Sequence, residues 1–479
     1  MTIRIGVICG DGLPVSGLLT TFRSAFSLGL DLGVLEPDAT VPTDLGFSWR
    51  PDKPAFFPGG RSDILTPDWM QLTDWRPDKD IDADQLAAEL TAIREDVARF
   101  DELPPDTQVR LNDRIAGIAE IYERHFTAWL REHRPTWVIA INMTLSDAVP
   151  ATLALHRAAD AYYANHPGGV VFWDHDLFAS ASVYDPATGL RVYPERPSAV
   201  TPVPAKQLHT FWAVVSSRLA EEASSYPTDL VPTVIPNILP SIPAGLDGRH
   251  AEFRRQRQLD PGRPILLNPV RVFHIKGVHL AVEILATLRR EAPSRGLAVP
   301  YLLVFGSLHE DPGYARQVVD TVHRLGLEDD VRFLGGVPLG SCRDSAGQWH
   351  LDEIDLLRLA AASNGGVLFT PSVPDVETIG LGPGLAATAS VPCLTTTYDA
   401  FDRVYGPDFS FTRTTTEPAA LERAAVDFLA ALQGMQNQDP ALMAALASNR
   451  RLGQRIFPAD GWADLWHDLD RAGAGTPYP

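Results

Sequence analysis

Short apolar runs alternate with helix-like segments along most of the chain. In the first half, strands are predicted at residues 3–9, 137–142, 169–173, 211–216 and 233–235. A second series is predicted at residues 265–268, 301–305, 331–333, 366–370 and 391–395, again with helical patterns between the strands. Such alternation is typical of parallel sheets that are covered by helices on both faces. The chain is therefore predicted to be an α/β protein with two parallel-sheet domains.

A turn-rich connector at residues 236–245, with several prolines and a final glycine, separates the two series. We place the N-terminal domain at residues 1–240, the C-terminal domain at 241–455 and a helical tail at 456–479. The tail could pack back on the N-terminal domain. A polar stretch rich in Pro and Asp, followed by helical sequence, is predicted to be an insertion at about residues 35–132 that shapes a substrate pocket.

Composition narrows the class of protein. The chain has 479 residues, 45% of them apolar and 21% charged, which is ordinary for a globular enzyme with more than one core. A net charge of −19 argues against a nucleic-acid partner, because phosphate backbones attract basic surfaces. No apolar run has the roughly 18 residues needed to span a bilayer, and the N-terminus lacks a signal-peptide pattern. We expect a cytoplasmic protein, and its oligomeric state is left open.

Two cations lie in the loop between a strand and a helical pattern. Arg271 and Lys276 follow the predicted strand at 265–268 and precede apolar helical spacing at 278–288. A departing phosphate ester needs fixed positive charge, which Arg and Lys can supply without a metal ion. This loop is predicted to bind a diphosphate. The three cysteines have no metal-ligand spacing, so they give no indication of a metal site. No metal and no cofactor are expected.

A second loop, about a hundred residues later, carries Glu377 and then Gly380 and Leu381. The glycine and leucine begin a predicted helix, whose free backbone N–H groups can meet phosphate or hydroxyl oxygens. Glu377 can accept hydrogen bonds from sugar hydroxyls. The alternative is a surface carboxylate that happens to precede a helix.

Polar and glycine residues follow other predicted strands. His175 and Asp176 follow the strand at 169–173, where His175 is a candidate to bind a sugar hydroxyl or to serve as a structural hydrogen bonder. A metal site there is not favoured, because neighbours on a strand point to opposite faces. Gly17 closes a glycine-containing loop after the first strand, which either lines the cleft or is a flexible turn. The glycines of that loop lack the dinucleotide spacing, which argues against nicotinamide binding.

Glycines also end two strands of the second series. Gly306 follows the strand at 301–305, and Leu334 with Gly335 follows the strand at 331–333. Backbone without side chains can approach a flat nucleobase closely. Turn formation alone is the alternative explanation.

The order and spacing of these segments resemble the retaining glycosyltransferases of family 4, which have the GT-B fold. The match extends over nearly the whole chain and is clearest at residues 264–396. The residues that carry it are, in the first half, Gly17, His175, Asp176 and the segments 216–218 and 235–237, and, in the second half, Arg271, Lys276, Gly277, Gly306, Phe333, Leu334, Gly335, Pro371, Ser372, Glu377, Ile379 and Gly380. The resemblance implies two Rossmann-like parallel-sheet domains that face each other across a cleft.

The resemblance also implies a role for each segment. Arg271 and Lys276 would hold the donor diphosphate, with backbone groups of residues 379–381 near the phosphates. Glu377 would bind hydroxyls of the donor sugar. His175 would lie by that sugar and the reaction centre. The loop at Gly17 would close over the donor, and the loop at residues 334–335 would lie by the nucleobase.

The implied activity is that of a hexosyltransferase. It would move a sugar from a nucleoside-diphosphate donor to a small-molecule acceptor, with retention of anomeric configuration and without a metal. The favoured mechanism is attack by the acceptor on the face that the phosphate leaves, while the phosphate takes the proton.

One position departs from the family pattern. Leu385 stands where a second Glu normally grips the ribose hydroxyls. Loss of that hydrogen bond would weaken donor binding by roughly 1.5–3 kcal/mol unless another group replaces it. Three explanations follow: the ribose is held differently, the donor is unusual, or the chain is a non-catalytic homologue that binds a sugar or a partner. A pseudo-glycosyltransferase or a phosphorylase with the same fold is a further alternative.

Overall fold

The computed structural model describes residues 2–10, 17–37, 40–47, 49–53, 66–73, 82–145, 147–181, 183–184, 189–375 and 377–473. The strands of the first half are β1 (Ile5–Cys9), β2 (Val41–Asp44), β3 (Met70–Leu72), β4 (Trp137–Ile141), β5 (Gly169–Asp174), β6 (Thr210–Val214) and β7 (Thr233–Val234). They form one parallel sheet in the order β3-β2-β1-β4-β5-β6-β7.

The strands of the second half are β8 (Ile265–Asn268), β9 (Tyr301–Val304), β10 (Val331–Phe333), β11 (Cys342–Arg343), β12 (Trp349–His350), β13 (Gly366–Phe369), β14 (Cys393–Thr396) and β15 (Thr412–Thr414). Six of them form a second parallel sheet in the order β10-β9-β8-β13-β14-β15. Strands β11 and β12 form a separate antiparallel hairpin. The two-sheet α/β architecture predicted from the alternating pattern is thus confirmed.

Helices connect the strands of both sheets. In chain order they are α1 (Leu18–Asp31), α2 (Ala83–Ala98), α3 (Pro105–His133), α4 (Val149–Tyr163), α5 (Ser217–Ala223), α6 (Gly248–Gln256), α7 (Val278–Glu291), α8 (Pro312–Leu325), α9 (Glu353–Ala362), α10 (Leu381–Ala389), α11 (Phe401–Val404), α12 (Pro418–Gln436), α13 (Pro440–Ile456) and α14 (Asp460–Gly473). No described helix combines the length and the apolar character that a bilayer span requires.

The segment that was predicted to be an insertion contains two strands of the first sheet, β2 and β3. The apolar pattern did not reveal β2 because its sequence, VPTD, is short and contains a proline and two polar residues, although all four residues are buried. The Asp44 carboxylate is satisfied internally: it accepts from Trp49 Nε1 at 2.9 Å and lies 2.6 Å from His125 Nε2. A buried strand can therefore be polar when neighbouring side chains supply its hydrogen bonds.

A buried network of charges joins the helical layer to the first sheet. Arg50 Nη2 contacts Asp147 Oδ2 at 2.7 Å, and Lys53 Nζ contacts the other Asp147 oxygen at 2.9 Å. Asp52 bridges Arg50 to Arg94 of α2 at 3.1 and 2.8 Å. Burial alone would raise the pKa of the Asp147 carboxyl, but the charges of Arg50 and Lys53 hold it well below its usual range. The network ties the loops after β2 and β4 to α2.

The last described helix, α14, lies against the first sheet. The rings of Trp462 and Trp173 meet edge to face, with centroids 4.8 Å apart. Trp466 Nε1 donates to the Ala25 carbonyl at 2.9 Å, and Trp137 Nε1 donates to the Leu469 carbonyl at 3.0 Å. The end of the chain thus crosses over from the second sheet and packs on the first.

The order of each sheet reverses direction at one pair of central strands. In the first sheet this pair is β1 and β4, and in the second it is β8 and β13. Loops that leave the carboxyl ends of such strands diverge and open a crevice where ligands bind in open α/β sheets. The loops after β1, β8 and β13 are the ones that carry the predicted glycine, cationic and carboxylate residues.

Candidate functional site

A cavity lies where the carboxyl ends of the two sheets face each other, with about 970 Å³ of open space that includes solvent at its mouth. Both sheets contribute to its wall. Nine of the twelve predicted site residues line it: Gly17, His175, Asp176, Arg271, Lys276, Glu377, Ile379, Gly380 and Leu381.

The two cations lie in the loop between β8 and α7, and both face this cavity. Lys276 Nζ donates to Glu377 Oε1 at 2.6 Å, which joins the loops after β8 and β13. Gly277, with φ of 62°, allows this contact, because a Cβ there would lie 1.9 Å from the Thr370 carbonyl oxygen. The Arg271 and Lys276 side chains are 15% and 25% exposed, so neither extends into bulk water.

Arg271 is oriented by a carboxylate that the sequence did not indicate. Its Nε donates to Glu310 Oε2 at 2.8 Å, and Glu310 Oε1 accepts from the backbone N of Ser307 at 2.6 Å. The Glu310 side chain is fully buried. Because both carboxylate oxygens are engaged, Glu310 holds the guanidinium of Arg271 in one orientation at the cavity wall.

The start of α10 presents backbone N–H groups to the same cavity. Gly380 has a left-handed conformation (φ 70°), and a Cβ there would lie 2.2 Å from Tyr398 Oη. Tyr398 Oη donates to the Ile379 carbonyl at 3.0 Å, and Tyr405 Oη donates to the Gly380 carbonyl at 2.6 Å. The two tyrosines therefore fix the turn that precedes the helix. Helix N-termini favour anions because their first N–H groups lack partners within the helix.

His175 reaches the cavity from the end of β5. Its Nε2 donates to Asn237 Oδ1 at 2.8 Å, while Nδ1 has no hydrogen-bond partner among the described residues. Burial lowers the pKa of His175 to about 4, so the imidazole is neutral at physiological pH. A neutral ring with a proton on Nε2 has a lone pair on Nδ1, which makes it an acceptor for a ligand hydroxyl.

Asp176 connects the two domains. Its Oδ2 accepts from Asn142 Nδ2 and its Oδ1 accepts from Thr378 Oγ1, each at 3.3 Å. Thr378 belongs to the loop after β13, so this bond crosses the cleft. Arg23 of α1 forms a second link between the domains, because its Nη1 lies 3.1 Å from Asp352 Oδ2 at the start of α9.

Three predicted site residues do not line the cavity: Gly306, Leu334 and Gly335. A Cβ at Gly306 would lie 2.4 Å from the backbone N of Val272, so this glycine permits two backbone segments to approach each other. The ends of β9 and β10 reach the cavity through Phe305 and Val337 instead. The predicted contact of the three residues with a nucleobase stays a prediction.

Sequence reasoning missed several lining residues, among them Asn237, Glu353 and Thr20. Asn237 follows edge strand β7, and its position at a strand end was the available signal. Glu353 is the first residue of α9 and has the sequence context of an ordinary acidic helix start. Leu385 also lines the cavity and is 4% exposed. Within the described part of the chain, no cluster of His, Cys, Asp or Glu is arranged to hold a metal ion.

Two Rossmann-like parallel-sheet domains that face each other across a cleft define the GT-B fold, and the chain has this fold. Its structural neighbours are GT-B glycosyltransferases. HepE from Anabaena, in a complex with UDP and glucose, has a TM-score of 0.55 and 14% identity over 97% of this chain and 98% of its own. Sucrose-phosphate synthase from Thermosynechococcus elongatus has a TM-score of 0.53 and 14% identity over 98% of each chain. A glycosyltransferase from Rickettsia africae has a TM-score of 0.53 and 12% identity over 99% of each chain.

No family model matches the sequence, and no curated protein matches it. At these low identities the structural likeness shows the fold alone. Any assignment of activity must therefore come from the chemistry of the cavity.

Proposed function

We propose that the protein is a glycosyltransferase that moves a hexosyl group from a nucleoside-diphosphate sugar to a small-molecule acceptor. The observation that carries the proposal is the convergence of Arg271, Lys276, Glu377 and the start of α10 on one cavity between the two sheets. The neighbour HepE, described in complexes with UDP and glucose and with UDP-glucose, supports a donor of this class.

The donor would bind through complementary charge. The diphosphate would be held by the guanidinium of Arg271, the ammonium of Lys276 and the backbone N–H groups at the start of α10. Glu377, which is paired with Lys276 at 2.6 Å, would accept hydrogen bonds from hydroxyls of the transferred sugar. The same ion pair would then fix the relative position of the phosphate and the sugar.

The reaction that fits this arrangement needs no enzymic base. The acceptor hydroxyl would attack the anomeric carbon on the face from which the diphosphate departs. A new C–O bond would form as the bond from carbon to the phosphate oxygen breaks, and the hydroxyl proton would pass to that oxygen. The anomeric configuration would be retained, and the two cations would stabilise the charge that develops on the leaving group without a metal ion.

His175 would contribute by position rather than by charge. Because its imidazole is neutral and its Nδ1 has no described partner, it would accept a hydrogen bond from the sugar or the acceptor. Asn237 would keep the ring in this orientation through its bond to Nε2.

The test compares Lys276→Ala and Arg271→Ala with two controls, Lys206→Ala and Arg316→Ala, which remove the same charges from exposed positions. Product formation from a panel of nucleoside-diphosphate sugars and acceptors is followed by mass spectrometry, with EDTA present and absent. We expect kcat/KM to fall by about 10²–10³-fold in the two cavity variants and to stay near wild type in the controls.

Unchanged kcat/KM in both cavity variants would contradict the proposal. Loss of product when EDTA is added would contradict metal independence alone. Tight binding of nucleoside diphosphates by the wild type, without turnover of any donor, would instead favour the non-catalytic homologue.

A further inference from the structure

The described residues that line the cavity include three carboxyl groups, and one of them has no partner. Asp176 accepts from Thr378, and Glu377 is paired with Lys276. Glu353 is 8% exposed, yet its carboxyl accepts no hydrogen bond and forms no ion pair with any described part of the chain. This is unusual, because buried polar groups are almost always satisfied.

The environment of Glu353 disfavours its charge. Burial raises the pKa of the carboxyl to about 7, against the opposing effect of Arg23 and with a further contribution from Asp352. Arg23 Nη1 is engaged by Asp352 and by the carbonyl of Leu339, and its buried Nη2 forms no hydrogen bond with Glu353 or with any other described group. A buried carboxyl that has no partner at a cavity wall is a candidate to accept hydrogen bonds from a ligand.

The position of Glu353 indicates which part of a ligand it meets. Its neighbour Asp352 and the carbonyl of Leu339, in the loop after edge strand β10, both accept from Arg23, whereas Lys276 and Glu377 pair in the loops after the central strands β8 and β13. Glu353 begins α9, which packs beside α10 and β8 in the C-terminal domain. Apolar residues at two strand ends of the same sheet, Phe305 and Val337, line the cavity and suit a flat base. A nucleotide whose base lay on these residues would have its ribose, rather than the transferred sugar, on the side of Glu353.

We propose that the Glu353 carboxylate accepts hydrogen bonds from the vicinal hydroxyls of the ribose in the donor nucleotide. A carboxylate has two oxygens that match two neighbouring hydroxyl donors, whereas it would repel a phosphate. Leu385 of α10 lines the same cavity and has no polar atom to offer a hydroxyl. The inference rests on the proposed function and names Glu353 as a residue that selects ribonucleotide over deoxyribonucleotide donors.

The test removes the 2′-hydroxyl from the nucleotide and, separately, the carboxylate of Glu353 from the protein. Calorimetry measures the affinity of UDP, GDP and ADP, and of the 2′-deoxy form of each, for the wild type, Glu353→Gln and the control Glu417→Gln, whose glutamate is exposed. For the diphosphate that binds, we expect the wild type and the control to prefer the ribose form by about tenfold or more. In Glu353→Gln the preference should shrink to about threefold or less, with the affinity of the deoxy form nearly unchanged.

Equal preference for the ribose form in wild type and Glu353→Gln, or no preference in the wild type, would overturn this inference while leaving the proposed function intact. Failure of all three diphosphates to bind the wild type would overturn both. Lys276→Ala separates this inference further from the proposed function, because it should lower the affinities for the ribose and deoxy diphosphates by the same factor.

Discussion

Replacing Glu353 with Gln should stabilise the folded protein even though it weakens nucleotide binding. The pKa of this carboxyl rises from its ordinary value of 4.5 to about 7 in the folded state because the group is buried. The unfolded chain therefore loses its proton near pH 4.5, while the folded chain retains it to about pH 7. As the pH rises from about 4.5 to about 7, the free energy of unfolding of the wild type therefore falls by about 3 kcal/mol relative to that of a variant with a neutral side chain of the same shape.

Urea denaturation of the ligand-free protein at pH 5.5 and pH 8 tests this. As the pH rises from 5.5 to 8, the free energy of unfolding of the wild type should fall by about 2 kcal/mol more than that of Glu353→Gln. Glu310→Gln is the matched control, because Glu310 is also buried but its oxygens are engaged by Arg271 and Ser307. That control should be destabilised at both pH values by about 1–3 kcal/mol.

Parallel pH dependence in wild type and Glu353→Gln would refute the reasoning, since it would mean that the carboxyl is not held in a desolvated site. Greater stability combined with weaker ribonucleotide binding is the signature of a group that is kept for a ligand. Replacing a residue that only supported the fold would instead lower the stability of the protein.

Three further results are expected. Asp147→Ala should lower the free energy of unfolding by about 3–5 kcal/mol, because the buried cations that it pairs with lose their partner; an unchanged urea midpoint would argue against this. Gly380→Ala should destabilise the protein and weaken diphosphate binding in calorimetry, because the added Cβ would lie 2.2 Å from Tyr398 Oη. The control Gly347→Ala has a similar φ and open space around it, so it should show only the cost of a strained backbone, about 1 kcal/mol. The pKa of His175 is lowered from 6.5 to about 4, so the free energy of unfolding of the wild type should fall by up to about 3 kcal/mol as the pH falls from 6.5 to 4. The free energy of unfolding of His175→Gln should fall by less over the same range. An identical pH profile for the two proteins would show that the ring is not buried as a neutral group.

The alternating pattern of the sequence was enough to predict that there are two sheets and to locate the central strands of each. All ten predicted strands are present, with ends that differ by at most about two residues. They were recognisable because central parallel strands are buried on both faces and are therefore continuously apolar. Five short strands of two to four residues, β2, β3, β11, β12 and β15, were not predicted, because runs such as VPTD, MQL and TRT are too short and too mixed in polarity to give an apolar pattern.

The location of the site followed from the same reasoning. Parallel strands bring their carboxyl ends to one edge, so polar and glycine residues after β1, β5, β8 and β13 were expected to meet there. Nine predicted residues, all from the segments that follow these strands, do line one cavity. The roles assigned to them remain predictions that the variants above test.

Only the tertiary structure decided which groups pair and which do not. Lys276 and Glu377 are 101 positions apart, and His175 and Asn237 are 62 positions apart, yet each pair is in hydrogen-bond contact. Glu353 has the sequence of an ordinary helix start, and its lack of a partner emerges only when α9 is packed against the cavity. Local sequence determines which strands and loops form, because burial and turn formation act over a few residues. Desolvation and charge pairing depend on atoms brought together from distant segments, so they are decided when the two sheets face each other.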